Sequence, residues 1–153
     1  MAEKKNHRPA IVNRKAEFEY FLLDRFQAGI MLTGTEVKSI RRGKVQMVDA
    51  FCTFQGNELY VRNLHISPYE QGNAYNHDPL RPRKLLLNRT ELRRLRKNLD
   101  EKGSTVIPTK IYFSDRNFAK MEIAFSRGRK SYDKRERIKE REVQRDIDRN
   151  SDD

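Results

Sequence analysis

The chain changes character most sharply between residues 28 and 44. There an apolar run, Ala28-Gly29-Ile30-Met31-Leu32, gives way to Thr33-Gly34-Thr35-Glu36 and then to a basic segment closed by Gly43. Ile30, Met31 and Leu32 read as the end of a buried strand. Thr33-x-x-Glu36 has the form of a capping box, in which the threonine hydroxyl and the glutamate carboxylate satisfy backbone donors at a helix start. The spacing predicts a helix from Thr33 or Thr35, with Val37 and Ile40 toward a core and Lys38, Arg41 and Arg42 outward. Gly43 can take the left-handed conformation that ends it. Alone, this is a surface helix capping a β-structure.

The remainder is strand-rich. Glu17 to Ile30 alternates, with Phe18, Tyr20 and Leu22 on one face, and reads as a strand, although Lys15 to Phe26 also fits a helix. Val45 to Gln55 and Glu58 to Leu64 flank Gly56-Asn57, a two-residue hairpin signal. Thr105 to Phe113 and Phe118 to Phe125 form a second hairpin, with Met121, Ile123 and Phe125 inward and Lys120 and Glu122 outward. Residues 67 to 82 have loop chemistry. A helix capped by Asn88 or Thr90 lines up Leu92, Leu95 and Leu99 and ends at Gly103. Five or six strands broken by two helices predict a mainly β, α+β fold, a small OB-like barrel with two to three helices.

Charge points to the partner. Lys and Arg number 33 against 22 Asp and Glu, a net charge of +11, which favours a polyanion: nucleic acid first, an anionic membrane surface second. No segment is long and apolar enough to span a bilayer, the N-terminus lacks a signal-peptide core, and the single cysteine, Cys52, admits no internal disulfide. A cytoplasmic monomer is expected. Residues 1–12 read as a mobile basic arm, 13–126 as the OB-like body and 127–153 as a basic tail.

The basic groups cluster. Arg81-Pro82-Arg83-Lys84 abuts three leucines, and Arg89, Arg93, Arg94, Arg96 and Lys97 make one side of the second helix positive, suited either to phosphate contact or to simple solvation. Residues 127 to 141 hold eight basic residues against three acids. Only Ile138, Val143 and Ile147 are apolar beyond Tyr132, too few to offset the entropy of docking, so the tail is expected to be disordered when free. Helical winding would align Arg137, Arg141, Arg145 and Arg149; they repel in isolation, and a polyanion along that flank would favour the helix. Tyr132, among Lys130, Lys134 and Arg135, suits stacking on an unpaired base. His65 and His77 lack a second ligand pair at metal-site spacing and read as surface and turn residues; no metal or cofactor is expected.

Five strings in order resemble the small protein B family, the SsrA-binding partners of transfer-messenger RNA in bacteria. They are Asn13-Arg14-Lys15-Ala16, Glu19-Tyr20-Phe21, Ala28-Gly29-Ile30 with Gly34-Thr35-Glu36-Val37-Lys38-Ser39-Ile40-Arg41, Asp78-Pro79-Leu80-Arg81-Pro82-Arg83-Lys84-Leu85-Leu86-Leu87, and Gly128-Arg129-Lys130-Ser131-Tyr132-Asp133-Lys134-Arg135. The resemblance implies an oligonucleotide-binding barrel that holds the tRNA-like domain of transfer-messenger RNA. It also implies a tail that enters the empty mRNA channel of a stalled ribosome and replaces the codon–anticodon contact at the small-subunit decoding centre. Asn13, Leu86 and Lys120 match family positions tied to RNA binding, and Arg14, Gln27, Glu36, Lys38, Arg41, Arg81, Arg83 and Lys84 are expected beside them. Tyr132, Asp133, Lys134 and Arg135 match the segment tied to decoding, flanked by Arg129, Lys130, Arg137, Arg141 and Arg145. Gln27 stands where the family usually has Glu, and Val143 where it usually has Trp.

Two other readings share the composition. One is a generic OB-fold or ribosomal RNA-binding protein; the other is an RNA-processing enzyme, which the absence of closely spaced carboxylates or a Ser/His/Asp set disfavours. No catalytic residue is expected.

Overall fold

The computed structural model describes residues 10–100, 102–129 and 131–151. In chain order they form β1 (Ile11–Val12), α1 (Ala16–Glu19), β2 (Tyr20–Ile30), α2 (Gly34–Arg41), β3 (Val45–Gln46), β4 (Phe51–Gln55), β5 (Glu58–Arg62), β6 (His65–Ile66), a 3-10 turn (Glu70–Tyr75), β7 (Arg83–Leu86), α3 (Arg89–Leu99), β8 (Ser104–Phe113), β9 (Ala119–Gly128) and α4 (Ser131–Ser151). The fold is mainly β with four helices.

All strand pairs among the described residues are antiparallel, and they form a circuit. β8 pairs β4, β4 pairs β5, β5 pairs β7, β7 pairs β2, β2 pairs β9, and β9 returns to β8. β1 adds to β8, while β3 and β6 form a separate two-stranded ribbon. Inward residues of every strand in the circuit meet in one core, with Ala28, Leu59, Val61, Leu85, Val106, Met121 and Ile123 almost wholly buried. α2 contributes Ile40 and α3 contributes Leu95 to that core. α2 follows the last residue of β2, and its Arg41 lies over Phe113, the last residue of β8. α3 leads into the first residues of β8, so the two helices cover opposite ends of the circuit.

Both caps follow the sequence pattern. Thr33 and Glu36 make the reciprocal capping-box bonds of α2, and Asn88 and Glu91 make those of α3. Gly43, at φ +75°, ends the first. Cys52 is buried, and burial pushes its thiol well above the ordinary range.

Several expectations are corrected. Residues 17–19 are not strand: α1 is a single turn that buries Ala16, and alternation holds only from Tyr20 onward. Val45 to Gln55 is not one strand, because Met47 and Ala50, three apart, are both buried across a turn closed by Ala50 N–H to Met47 O. Ile11 and Val12 belong to the sheet rather than to an arm; residues 1–9 lie outside the described residues. β7 was not expected at all. β9 extends to Gly128, two residues past the expected body boundary. Residues 131–151 form a continuous helix in which every described side chain is exposed.

Candidate nucleic-acid interface

Register, which places cross-strand partners on one face, assembles the site. Gly29 of β2 lies opposite Leu86 of β7 on one side and Lys120 of β9 on the other, and Lys120 lies opposite Tyr112 of β8. The next row runs from Gln27 through Glu122 to Lys110. The outer face of β7, β2, β9 and β8 therefore gathers three expected contacts, Gln27, Leu86 and Lys120, on neighbouring positions. A β-carbon on Gly29 would stand 3.3 Å from the Leu86 β-carbon, so glycine lets the Leu86 side chain lie across β2 while half-exposed. Met31 and Phe118, also half-exposed or more, extend the apolar part of this face.

A hydrogen-bonded network underlies the polar part. Glu122, nearly buried, accepts from Gln27 Nε2 at 3.0 Å, Arg25 Nη1 at 2.9 Å and Thr109 Oγ1 at 2.5 Å. Burial alone would raise its carboxyl; the bonds from Thr109, Gln27 and Arg25, with the charge of Lys110, outweigh that and hold it below its ordinary value. Tyr112 donates its hydroxyl to Gln27 Oε1 at 2.6 Å. Glu122 was expected to point to solvent, and it is instead covered by its partners. Arg25, Tyr112 and Glu122 were all missed as interface residues. Period-two parity with Gln27 was the signal for Arg25; strand register, unavailable in the sequence, was needed for the other two.

Arg83 and Glu36, both expected at the RNA surface, are corrected. Each side chain is fully buried, and Arg83 Nε meets Glu36 Oε2 at 2.6 Å. Arg83 also donates to the carbonyls of Leu64, Asp78 and Pro79, tying α2 to the loop beyond β6. Arg81 donates to both Glu36 oxygens, at 2.7 and 3.2 Å, and keeps about a third of its side chain exposed (35%). Burial would raise the Glu36 carboxyl, but Arg81, the Thr33 backbone N–H and the charge of Arg83 overcome it and hold the carboxyl low. His77, read as a turn residue, joins this anchor, bonding Thr35 Oγ1 at 2.8 Å and the Ile66 carbonyl at 2.9 Å.

The other body residues divide between surface and scaffold. Asn13 is scaffold: its amide holds the carbonyls of Pro108 (2.9 Å) and Met47 (3.4 Å). Arg14 is exposed, beside a groove shared with Arg25, Lys110 and Glu122 on the sheet face. Lys38 and Arg42 lie over the Tyr69 ring, at 5.4 and 4.9 Å from its centroid, so the outer side of α2 is a cationic surface on an aromatic base. Lys84 pairs with Glu58 at 3.0 Å. On α3, Arg94 pairs with Asp24 at 2.5 Å and Arg96 bonds the Gly56 carbonyl over Phe54, while Arg89 and Arg93 are exposed.

Arg129 anchors the tail to the body. Its Nε donates to the carbonyls of Glu17 (2.8 Å) and Tyr20 (3.3 Å), and its guanidinium stacks on Phe21. Along α4, Arg135, Arg141 and Arg145 are exposed, and Arg141 reaches to 5.8 Å from the Phe18 ring. Asp146 and Arg149, three residues apart, pair at 3.8 Å. Lys130 and the side chains of Tyr132, Asp133, Lys134 and Arg137 lie outside the described residues. Among the described residues no cluster of three or more His, Cys, Asp or Glu is placed to hold a metal ion, and no helix is long and apolar enough to cross a membrane.

A family model described as "SmpB protein" matches residues 10–153. The SsrA-binding protein of Flavobacterium psychrophilum is 50% identical over 139 residues, 91% of this chain and 93% of the relative. That of Pseudothermotoga lettingae is 53% identical over 137 residues, covering 90% and 93%. A solved chain described as "tmRNA-SmpB: a journey to the center of the bacterial ribosome" superposes with a TM-score of 0.69 at 49% identity, over 80% of this chain and 86% of that one.

Proposed function

We propose a function that proceeds from kinship: this chain belongs to the SmpB protein family, and it binds transfer-messenger RNA and serves trans-translation, the rescue of stalled ribosomes. Its partners are that RNA and the ribosome. The observation that carries the reading to particular residues is the convergence of Gln27, Leu86 and Lys120 on one open sheet face. An exposed leucine beside a lysine and an amide offers a folded RNA an apolar contact, a phosphate partner and a hydrogen-bonding group together.

The six-strand circuit supports an OB-like barrel as the platform, and Arg14, Lys38, Arg41 and Arg81 supply cationic surface around it. Glu36 and Arg83 act from beneath by fixing α2. The tail is the second functional unit. Its arginines, four residues apart on α4, line the flank that enters the vacant mRNA channel, and Tyr132 to Arg135 act in the decoding centre. Away from the RNA walls the helix is only marginally stable, because like charges four apart repel and few apolar groups dock it. The setting is the cytoplasm, and the protein moves RNA without bond chemistry of its own.

Ending the chain at Lys130 tests this division. The truncated protein should bind the tRNA-like domain almost as well as the full chain and fail to support tagging of stalled products. A large loss of RNA affinity would favour the generic RNA-binding alternative, in which the tail is merely a phosphate-hugging extension.

A further inference from the structure

Among the described residues Gln27 is the only amide in the group that meets on the outer face of β7, β2, β9 and β8, and an amide can present either its oxygen or its nitrogen to a neighbour. Here the choice is forced from below. The Glu122 carboxylate accepts only, and Gln27 Nε2 stands 3.0 Å from it. Thr109 and Arg25 occupy the other Glu122 oxygen, so Gln27 must keep its nitrogen toward Oε1. Its oxygen then faces the Tyr112 hydroxyl at 2.6 Å, which must donate. With those protons assigned, the exposed pair presents a free N–H of Gln27 and a free lone pair of the Tyr112 oxygen side by side, in fixed order. A ribose 2′-hydroxyl, donor and acceptor at one atom, satisfies both at once and is the group that distinguishes RNA from DNA.

Building on the RNA-binding reading above, we propose that Gln27 and Tyr112 read one ribose 2′-hydroxyl of the bound RNA, and that Glu122 is the positioning residue that sets the polarity of the pair. Glu122 does not touch the RNA; it acts through the amide it orients. Lys120 and Lys110, opposite Tyr112 and Glu122 in the sheet, stand ready for the flanking phosphates.

The test scans the tRNA-like domain of transfer-messenger RNA with single 2′-deoxy substitutions and measures the affinity of the full chain for each. The wild-type protein should show one position where the deoxy substitution weakens binding roughly three- to tenfold, the range of one or two net hydrogen bonds. Tyr112→Phe and Glu122→Gln should weaken the all-ribose RNA by a similar factor and lose the penalty at that position, with no change in the salt slope, since neither removes a phosphate contact. Thermal melting checks that each variant is folded. Tyr112→Phe leaves the Glu122 bonds in place and keeps the test decisive if Glu122→Gln unfolds the protein. A scan with no position whose penalty changes in Tyr112→Phe overturns the proposal. Failure of the wild-type chain to bind the all-ribose RNA would instead overturn the reading on which it rests.

Discussion

α2 and α4 are both basic helices, and they are built in opposite ways. α2 has eight residues, a reciprocal capping box, and Glu36, Ser39 and Ile40 buried beneath its cationic face. Its one acid is neutralised by the buried Arg83 and the partly exposed Arg81, and Ser39 Oγ bonds the Ser67 carbonyl at 2.7 Å. α4 has twenty-one residues, and its described side chains are all exposed; Arg129 grips the body at its root and Arg141 touches Phe18. The charge on α2 is thus held in a fixed position by the body, whereas the charge on α4 has little beyond Arg129 and Arg141 to hold it.

The largest expected effect lies beneath α2. Arg83→Ala leaves the Glu36 carboxylate buried with only Arg81 and should cost about 3–5 kcal/mol, the range for removing one partner of a buried pair. Glu36→Ala, which also removes the cap, should be as severe. Urea unfolding of either variant measures this, and a loss under about 1 kcal/mol would mean that α2 is held no more firmly than a surface helix.

Acid should weaken the body for the same reason. Glu36 and Glu122 both have carboxyls held below their ordinary value in the folded chain. Each therefore contributes stability that is complete above the unfolded-state carboxyl value and disappears as pH falls through the lowered folded one. Melting temperatures should fall through that acid window. Glu122→Gln should flatten the decline, and an unaltered pH profile in that variant would remove Glu122 from the account.

Lys120→Ala should reduce affinity for the tRNA-like domain and lessen the slope of log K against log salt by about 0.7–0.9, one phosphate contact. An unchanged slope would take Lys120 out of the interface. At the small end, Arg141→Ala should change body stability by less than about 0.5 kcal/mol, as expected for an exposed side chain. A larger loss would show that α4 is docked and would erase the contrast between the helices.

Local chemistry was legible in the sequence where it acts over a few residues. Thr33 with Glu36, a cap at Asn88 or Thr90, the leucines of α3 and both hairpins were read from spacing alone. β7 was hidden because its parity is inverted relative to hydropathy: Arg83 faces inward with Leu85, and Leu86 faces outward with Lys84. The inward arginine makes sense only beside Glu36, forty-seven residues earlier, and the outward leucine only beside Gly29 of the neighbouring strand. Glu122 was misread for a related reason, since strand alternation places it outside but cannot tell that Thr109, Gln27 and Arg25 cover it. Gln27, Leu86 and Lys120 were named through the family resemblance, and strand register brings them onto one face; the residues that support them were hidden because long-range pairing creates that arrangement.

Amide hydrogen exchange along the whole chain, free and then loaded with transfer-messenger RNA on a stalled ribosome, tests the contrast most directly. In the free protein the amides of α4 should exchange far faster than those of α2, β2 and β9, and they should slow markedly in the loaded ribosome. Protection of α4 equal to that of β9 in the free chain, unchanged on loading, would contradict the account.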